Sequence, residues 1–256
     1  MKVKLISDTH CEFWDNGWNI VDPGQGEVLI LAGDIGVVST LGTPDGKAYE
    51  DFIRRCSEGY DKVFYVMGNH ELYSGCIVGT PIVLLDFLYD YDNITLLDDN
   101  SEYYNGVHFV GGTMWSNFEN MNKSVMEECG RVMNDYNFIT NQQNPLTTTD
   151  TLIKHKETTE WFDRCVRSLR GPVVMITHHA PSLQSVQRNL TTNGAYYTDM
   201  SRFIKSHPHI VNWVHGHCHA TNDYNIQQCR VMSNAYGYDD YATNESFSNE
   251  CEFSVS

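Results

Sequence analysis

Short apolar runs recur along the chain, and each stops at a polar or glycine-bearing stretch. "KVKLIS" (2–7), "VLILAG" (28–33), "KVFYVMG" (62–68), "VHFVGG" (107–112), "VVMITH" (173–178) and "VNWVHG" (211–216) are rich in β-branched or aromatic residues. Runs this short predict buried or half-buried strands rather than helices. Between them, "KAYEDFIRRCSEGY" (47–60), "PIVLLDFLYD" (81–90) and "DTLIKHKETTEWFDRCVRSL" (150–169) carry helical spacing, and "DYNIQQCRVMS" (223–233) predicts a strand or hairpin with no helix after it. Strands alternating with helices in the first half predict an α/β layered fold with right-handed crossovers. The later strands, with weaker helical spacers, predict a second, more antiparallel sheet packed on the first. Residues 113–149, rich in Asn, Thr and Met, have no clear period and predict a long excursion near the surface. No repeat, low-complexity tract or linker interrupts the pattern, so residues 1–256 predict one domain.

Composition narrows the class. A hydrophobic fraction of 41% with 12% aromatics is enough for a filled core and argues against disorder of the whole chain. No run approaches the length needed to span a bilayer. The apolar part of "MKVKLISDTH" is too short for a signal-peptide core, which predicts a cytoplasmic protein. The eight cysteines contain no CxxC pair, so they read as scattered thiols and exclude a Cys₄ zinc ribbon. The net charge of -16, from 33 acidic and 17 basic residues, repels polyanions and weighs against long nucleic acid or an anionic membrane as a partner. A small anionic substrate stays possible where bound divalent cations invert the local field.

The polar residues at the strand ends carry the chemistry. "SDTH" brings Asp8 and His10, "GDI" brings Asp34, and "GNHE" brings Asn69 and His70. "THHAP" adds His178 and His179, and "WVHGHCHA" adds His215, His217, Cys218 and His219. In layered α/β folds, ligands bind beyond the C-terminal ends of the strands. Singly, each element has an ordinary explanation: a helix cap or turn for DxH, an Asx turn for "GD", a tight turn for "GNH". Five such pieces in one order, each at a strand terminus, are hard to obtain by chance.

As an ordered set, Asp8-Thr9-His10, Gly33-Asp34, Gly68-Asn69-His70-Glu71, His178 and Gly216-His217-Cys218-His219 resemble the calcineurin-like metallophosphoesterase superfamily. The resemblance spans residues 8 to 219 and implies a four-layer α/β/β/α sandwich with a pair of divalent metals. Asp34 is then the bridging ligand. Asp8, His10 and His219 complete one metal; Asn69, His178 and His217 complete the other. Mixed N/O ligation without thiolate suits manganese first, with iron, zinc, cobalt or nickel as alternatives. The implied reaction is phosphate-ester hydrolysis by a metal-bridging hydroxide, with His70 as general acid.

Neighbouring residues have less definite readings. Glu71 either orients His70 or a ligand, or is a solvent-facing loop carboxylate. His179 reads as pocket rim or packing, and His215 as support at best. Trp115, Asn117 and Tyr73 could line the substrate mouth or pack in the core. If residues 217–219 are extended, His217 and His219 point one way and Cys218 the other, so the thiol is not a ligand. Departures narrow the subclass. "GDIGVVS" lacks the GDxVDRG of Ser/Thr protein phosphatases, and Val37 stands where purple acid phosphatases place a metal-binding Tyr. What remains is a compact phosphoesterase acting on a small or modest organic phosphate ester, a diester in preference to a monoester. The rivals are a catalytically inactive binding scaffold on the same fold, a nuclease, and a structural zinc protein.

Overall fold

The structure, a computed structural model, describes residues 1–14, 21–186, 191–238 and 242–255. Its main strands are β1 (Lys2–Ile6), β2 (Gly26–Leu31), β3 (Tyr60–Tyr65), β4 (Ile94–Leu96), β5 (Asn100–Tyr104), β6 (Val107–Gly112), β7 (Val173–Thr177), β8 (Ile210–His215), β9 (Thr221–Ile226), β10 (Cys229–Asn234) and β11 (Glu252–Ser254). The longer helices are α1 (Lys47–Gly59), α2 (Thr80–Leu88), α3 (Lys123–Val132) and α4 (Thr148–Ser168). A five-stranded sheet has the order β11-β1-β2-β3-β4, and a six-stranded sheet the order β9-β10-β8-β7-β6-β5.

Period-2 alternation sorts the strand residues into layers. Val28 and Ile30 of β2, Phe64 of β3, Phe109 of β6, Val174 and Ile176 of β7 and Val214 of β8 face one another between the sheets. The Phe64 and Phe109 rings stack across this seam at 4.1 Å. The alternate residues Leu29, Leu31, Val63 and Tyr65 face α1, which buries Tyr49, Phe52, Ile53 and Cys56 at helical spacing. Val173, Met175, Trp213 and Val231 face Phe162 and Val166 of α4. The result is α/β/β/α. Because both faces of the central strands are covered, they read as continuous apolar runs rather than alternating ones.

Two expectations need correction. In the second sheet β10, β8, β7 and β6 are mutually parallel, and only the outer β9 and β5 run antiparallel. α4 and a short helix over Ser201–Ser206 act as crossovers that return the chain to the same edge. The stretch 113–149 is also built rather than a featureless surface excursion. Trp115, Phe118, Val125, Cys129, Tyr136, Ile139 and Leu146 join Leu72, Ile77 and Leu152 in a cluster of their own. Its period is invisible because Met114, Trp115 and the run Phe118–Met121 have left-handed backbones, and the helical pieces between are short.

The parallel strands bring their C-terminal ends to one edge. There Ser7 bridges Ala235, joining the two sheets. Among the described residues no helix is long and apolar enough to cross a membrane, and no disulfide joins the eight cysteines.

Candidate metal centre

The loops after β1 and β2 run together: Asp8 N–H donates to Gly33 O at 2.9 Å, His10 N–H to Asp34 O at 3.0 Å and Cys11 N–H to Ile35 O at 2.9 Å. Asp8, His10, Asp34, His217 and His219 all have left-handed φ, between 46° and 66°. Each such residue is uncommon outside Gly and Asn, and their concentration at one edge marks a site the fold holds under strain. Two of the motif glycines are required by close approach. A Cβ on Gly68 would collide with Asp34 Oδ1, and one on Gly216 would sit 2.5 Å from Asp8 Oδ2.

The side chains converge in two groups that share Asp34. Asp8, His10, Asp34 and His219 each offer a ligand atom within 4.8 Å of the others, and Asp34, His178 and His217 do the same. His10 Nε2 and His219 Nε2 are 3.0 Å apart; His178 Nε2 lies 3.3 Å from Asp34 Oδ2 and 3.1 Å from Asn69 Oδ1. Two buried polar atoms, Asp8 Oδ2 and His217 Nε2, have no hydrogen-bond partner. Leaving such atoms unpaired in a protein interior costs about 1–3 kcal/mol each, so their presence here fits a pair of cations. Tautomers agree. His178 Nδ1 donates to Ala32 O at 2.9 Å and His10 Nδ1 faces Glu12 Oε1 at 3.3 Å, which frees each Nε2 as a donor to metal. The set is N/O only. Cys218 belongs to neither group.

Charge follows burial. Burial pushes the Asp8 carboxyl up. For Asp34 burial acts the same way, but the His178 and His70 charges draw it well below the usual range. Burial and the His10 charge hold His219 down at about 3, and burial and the His179 charge hold His217 well below 6.5, so both are neutral imidazoles, the form that binds metal.

A second ring of groups orients the first. Glu71 is fully buried, not solvent-facing. Its Oε2 accepts from Asp34 N–H at 3.0 Å and Gly68 N–H at 2.7 Å, and its Oε1 from Ile35 N–H at 2.8 Å and Tyr65 O–H at 2.6 Å. It therefore ties the Asp34 loop to the Asn69 loop and does not touch the His70 ring. That ring is held by Glu12, whose Oε1 is 2.8 Å from His70 Nδ1, while Asp34 Oδ1 accepts the His70 N–H at 2.8 Å. Asp135 accepts from Asn69 Nδ2 at 2.8 Å and from Tyr73 O–H at 2.9 Å. His179 is buried behind the site with its ring 4.3 Å from that of His217, and His215 pairs with Ser185 Oγ at 2.8 Å. His179 is thus packing, not rim.

The groups open into a cleft of about 350 Å³ lined by Tyr73, Tyr196, Tyr238, Asn134, Asn193 and Cys218 among others. Tyr73 does line the mouth. Trp115 is buried and packs on His179 at 5.2 Å, and Asn117 caps the turn that follows it. The alternation expected for 217–219 fails, because left-handed φ at both histidines breaks the extended backbone and leaves Cys218 in the cleft wall. Glu12, Asp135 and Tyr238 complete the site without any motif to announce them; a carboxylate two residues after His10 is the one signal the sequence offered.

The sequence profile of the Calcineurin-like phosphoesterase family matches residues 1–221. An uncharacterized protein of Acanthamoeba polyphaga mimivirus is 28% identical over 271 residues, covering 92% of this chain and 91% of the relative. Among solved structures, a phosphopantetheinyl hydrolase from Mycobacterium tuberculosis superposes with a TM-score of 0.71 at 15% identity, over 94% of this chain and 93% of its own. A Staphylococcus aureus protein assigned as a 5'-nucleotidase gives 0.54 at 14% identity, over 91% of this chain and 48% of its own. At such identities these two structures speak for the fold alone.

Proposed function

The chain belongs to the calcineurin-like phosphoesterase family, and we propose that it hydrolyses small or modest organic phosphate esters with two divalent cations. The carrying observation is the pair of ligand groups that share Asp34 at the floor of a cleft. Asp8, His10, Asp34 and His219 would hold one cation; Asp34, Asn69, His178 and His217 the other. Manganese is the first choice for this N/O set, with iron, zinc, cobalt or nickel as alternatives. When bound, such a pair neutralises phosphoryl oxygens and lowers the pKa of water toward neutrality.

The chain's own residues supply the rest. With Nδ1 tied to Glu12, His70 keeps Nε2 for the leaving oxygen. Burial lowers its pKa, but the Asp34 charge and the Glu12 hydrogen bond outweigh burial and raise it to about 9, so it carries a proton at neutral pH. That proton goes to the leaving oxygen as the P–O bond breaks. Asp135 and Glu71 keep Asn69 and Asp34 aimed. Among the described lining residues none is Lys or Arg, so beside the His70 imidazolium the extra charge of a monoester meets no permanent side-chain cation, which supports a diester. The net charge of -16 weighs against a long polyanion.

The test is metal analysis of untreated protein together with hydrolysis of bis-p-nitrophenyl and p-nitrophenyl phosphate under each of those metals. Phosphopantetheinyl and nucleotide esters, named for the structural neighbours, open the natural-substrate panel. Two bound cations per chain with faster diester cleavage is the expected result. Two cations with no cleavage of any ester would overturn the enzymatic reading in favour of a binding scaffold.

A further inference from the structure

We propose that the Tyr238 hydroxyl is a catalytic group that holds the leaving oxygen beside His70. This rests on the phosphoesterase reading and on His70 as the proton donor. Tyr238 Oη lies 3.3 Å from His70 Nε2, the atom left free by the Glu12 bond. Its ring stands 4.5 Å from that of His10 and 4.6 Å, edge-on, from that of His219, and it lines the cleft. The residue comes from the segment after β10, beyond the part of the chain that the family profile matches.

The backbone that carries it is fastened to the metal-binding loop. Tyr236 N–H donates to Ser7 O at 3.0 Å and Gly237 N–H to Asp8 O at 2.9 Å, while Tyr238 pairs antiparallel with Ala242. Gly237 turns the chain with φ 92°, where an added Cβ would meet Ala242 O at 2.5 Å. The hydroxyl is therefore placed by the same loop that places Asp8 and His10.

A proton donor must come within about 2.6–3.2 Å of the oxygen it protonates. A leaving oxygen at that distance from His70 Nε2, on the side that faces Tyr238, falls within hydrogen-bond reach of Tyr238 Oη. In the step, the P–O bond breaks and its electron pair goes to the leaving oxygen. The His70 Nε2 proton passes to that oxygen, leaving a neutral imidazole that regains a proton from solvent. Tyr238 keeps its own proton and lends a hydrogen bond while charge builds on the oxygen. Donors of this kind are worth about 10²–10³ in rate when the site is closed to water, and less in an open cleft.

Tyr238→Phe keeps the ring and removes the hydroxyl. Against a series of aryl phosphodiesters running from p-nitrophenyl to unsubstituted phenyl leaving groups, kcat should fall about 10-fold at the acidic end and about 100-fold at the basic end. KM and the count of two bound metals should stay near wild type. In the metal-free protein at fixed pH, the ¹⁵N resonance of His70 Nε2 should move in the variant, because its hydrogen-bond partner is gone. An equal loss across the series would make Tyr238 a packing residue, and a gain in rate would make it a plug over His70. Either result, or an unmoved resonance, overturns the proposal. A wild type that cleaves the series while the variant matches it removes this inference alone; a wild type that cleaves nothing removes the enzymatic reading with it.

Discussion

Asp135→Ala isolates the part of the site that lies in the 113–149 stretch. Both bonds to Asp135 fall on one oxygen: Oδ1 accepts Asn69 Nδ2 at 2.8 Å and Tyr73 O–H at 2.9 Å. The first bond decides which end of the Asn69 amide faces His178 and the proposed cation. Without it, Asn69 Nδ2 keeps only Tyr73 Oη at 3.3 Å. A bond to a charged acceptor is worth ~1.5–3 kcal/mol and a neutral one ~1 kcal/mol, so the restraint on the amide weakens by at least ~1 kcal/mol. That is about a 5- to 10-fold loss in affinity at the Asn69 cation, at or just below the ~10–100-fold range for groups that orient a ligand. Stability should fall by about 1–2 kcal/mol, less than the two lost bonds together, because the buried carboxylate is itself costly. Burial raises the Asp135 pKa, and the bonds from Tyr73 and Asn69 only oppose that. Asp135→Asn can present its oxygen at the same point and should recover most of the affinity. Calorimetric metal titration of the chelator-treated variants reads both sites. Unchanged affinity at both in Asp135→Ala, or equal loss at both, would refute the assignment.

Three further outcomes follow from the same geometry. Chelation should lower the melting temperature and re-addition of Mn²⁺ should restore it, since ligand binding to the folded state adds RT ln(1 + [L]/Kd); a melting curve indifferent to chelator would count against a resident metal. In the chelated protein His70, raised from 6.5 to about 9, contributes stability that is whole below pH 6.5 and lost as pH rises through 9. The urea midpoint should therefore drop between pH 7 and about 9.5, and Glu12→Gln should make the drop shallower; a flat midpoint in wild type contradicts the Glu12–His70 pairing. Away from the site, burial pushes Asp99 up to about 6, its Oδ1 has no partner, and its φ is 51°. A carboxyl whose folded pKa is raised penalises the fold increasingly as pH climbs from its ordinary value of 3.8 toward about 6, and in full above that. Asn tolerates the left-handed backbone and can still accept from Thr158, so Asp99→Asn should add about 1 kcal/mol, after discounting for partial exposure, or ~2–4 °C at pH 8. The gain should vanish near pH 4, which differential scanning at the two pH values checks.

What the chain shows before folding is governed by range. Strands two-sided in burial appear as unbroken apolar runs, and all six such runs named in the sequence became strands. The residues that end them are visible because the backbone turns there, with Gly68 and Gly216 fitted against Asp34 and Asp8. Asp135 and Tyr238 are invisible for the opposite reason: their partners lie 66 and 168 residues away in Asn69 and His70. No local period encodes such a pairing. The spacing of His217 and His219 by two predicts a shared direction from an extended backbone, and that backbone is absent, since both are left-handed. Their convergence comes from the loop, where Asp8 Oδ1 accepts the His217 N–H at 2.8 Å. The same bond shows how the strain is carried. Each left-handed residue of the site costs about 1–3 kcal/mol, and its backbone is fixed by hydrogen bonds from a neighbouring motif. The positions of these side chains are thus set by hydrogen bonds within the protein, while Asp8 Oδ2 and His217 Nε2 are left for something else to satisfy. A site so divided should keep its shape when emptied and lose mainly stability, as the chelation experiment would measure.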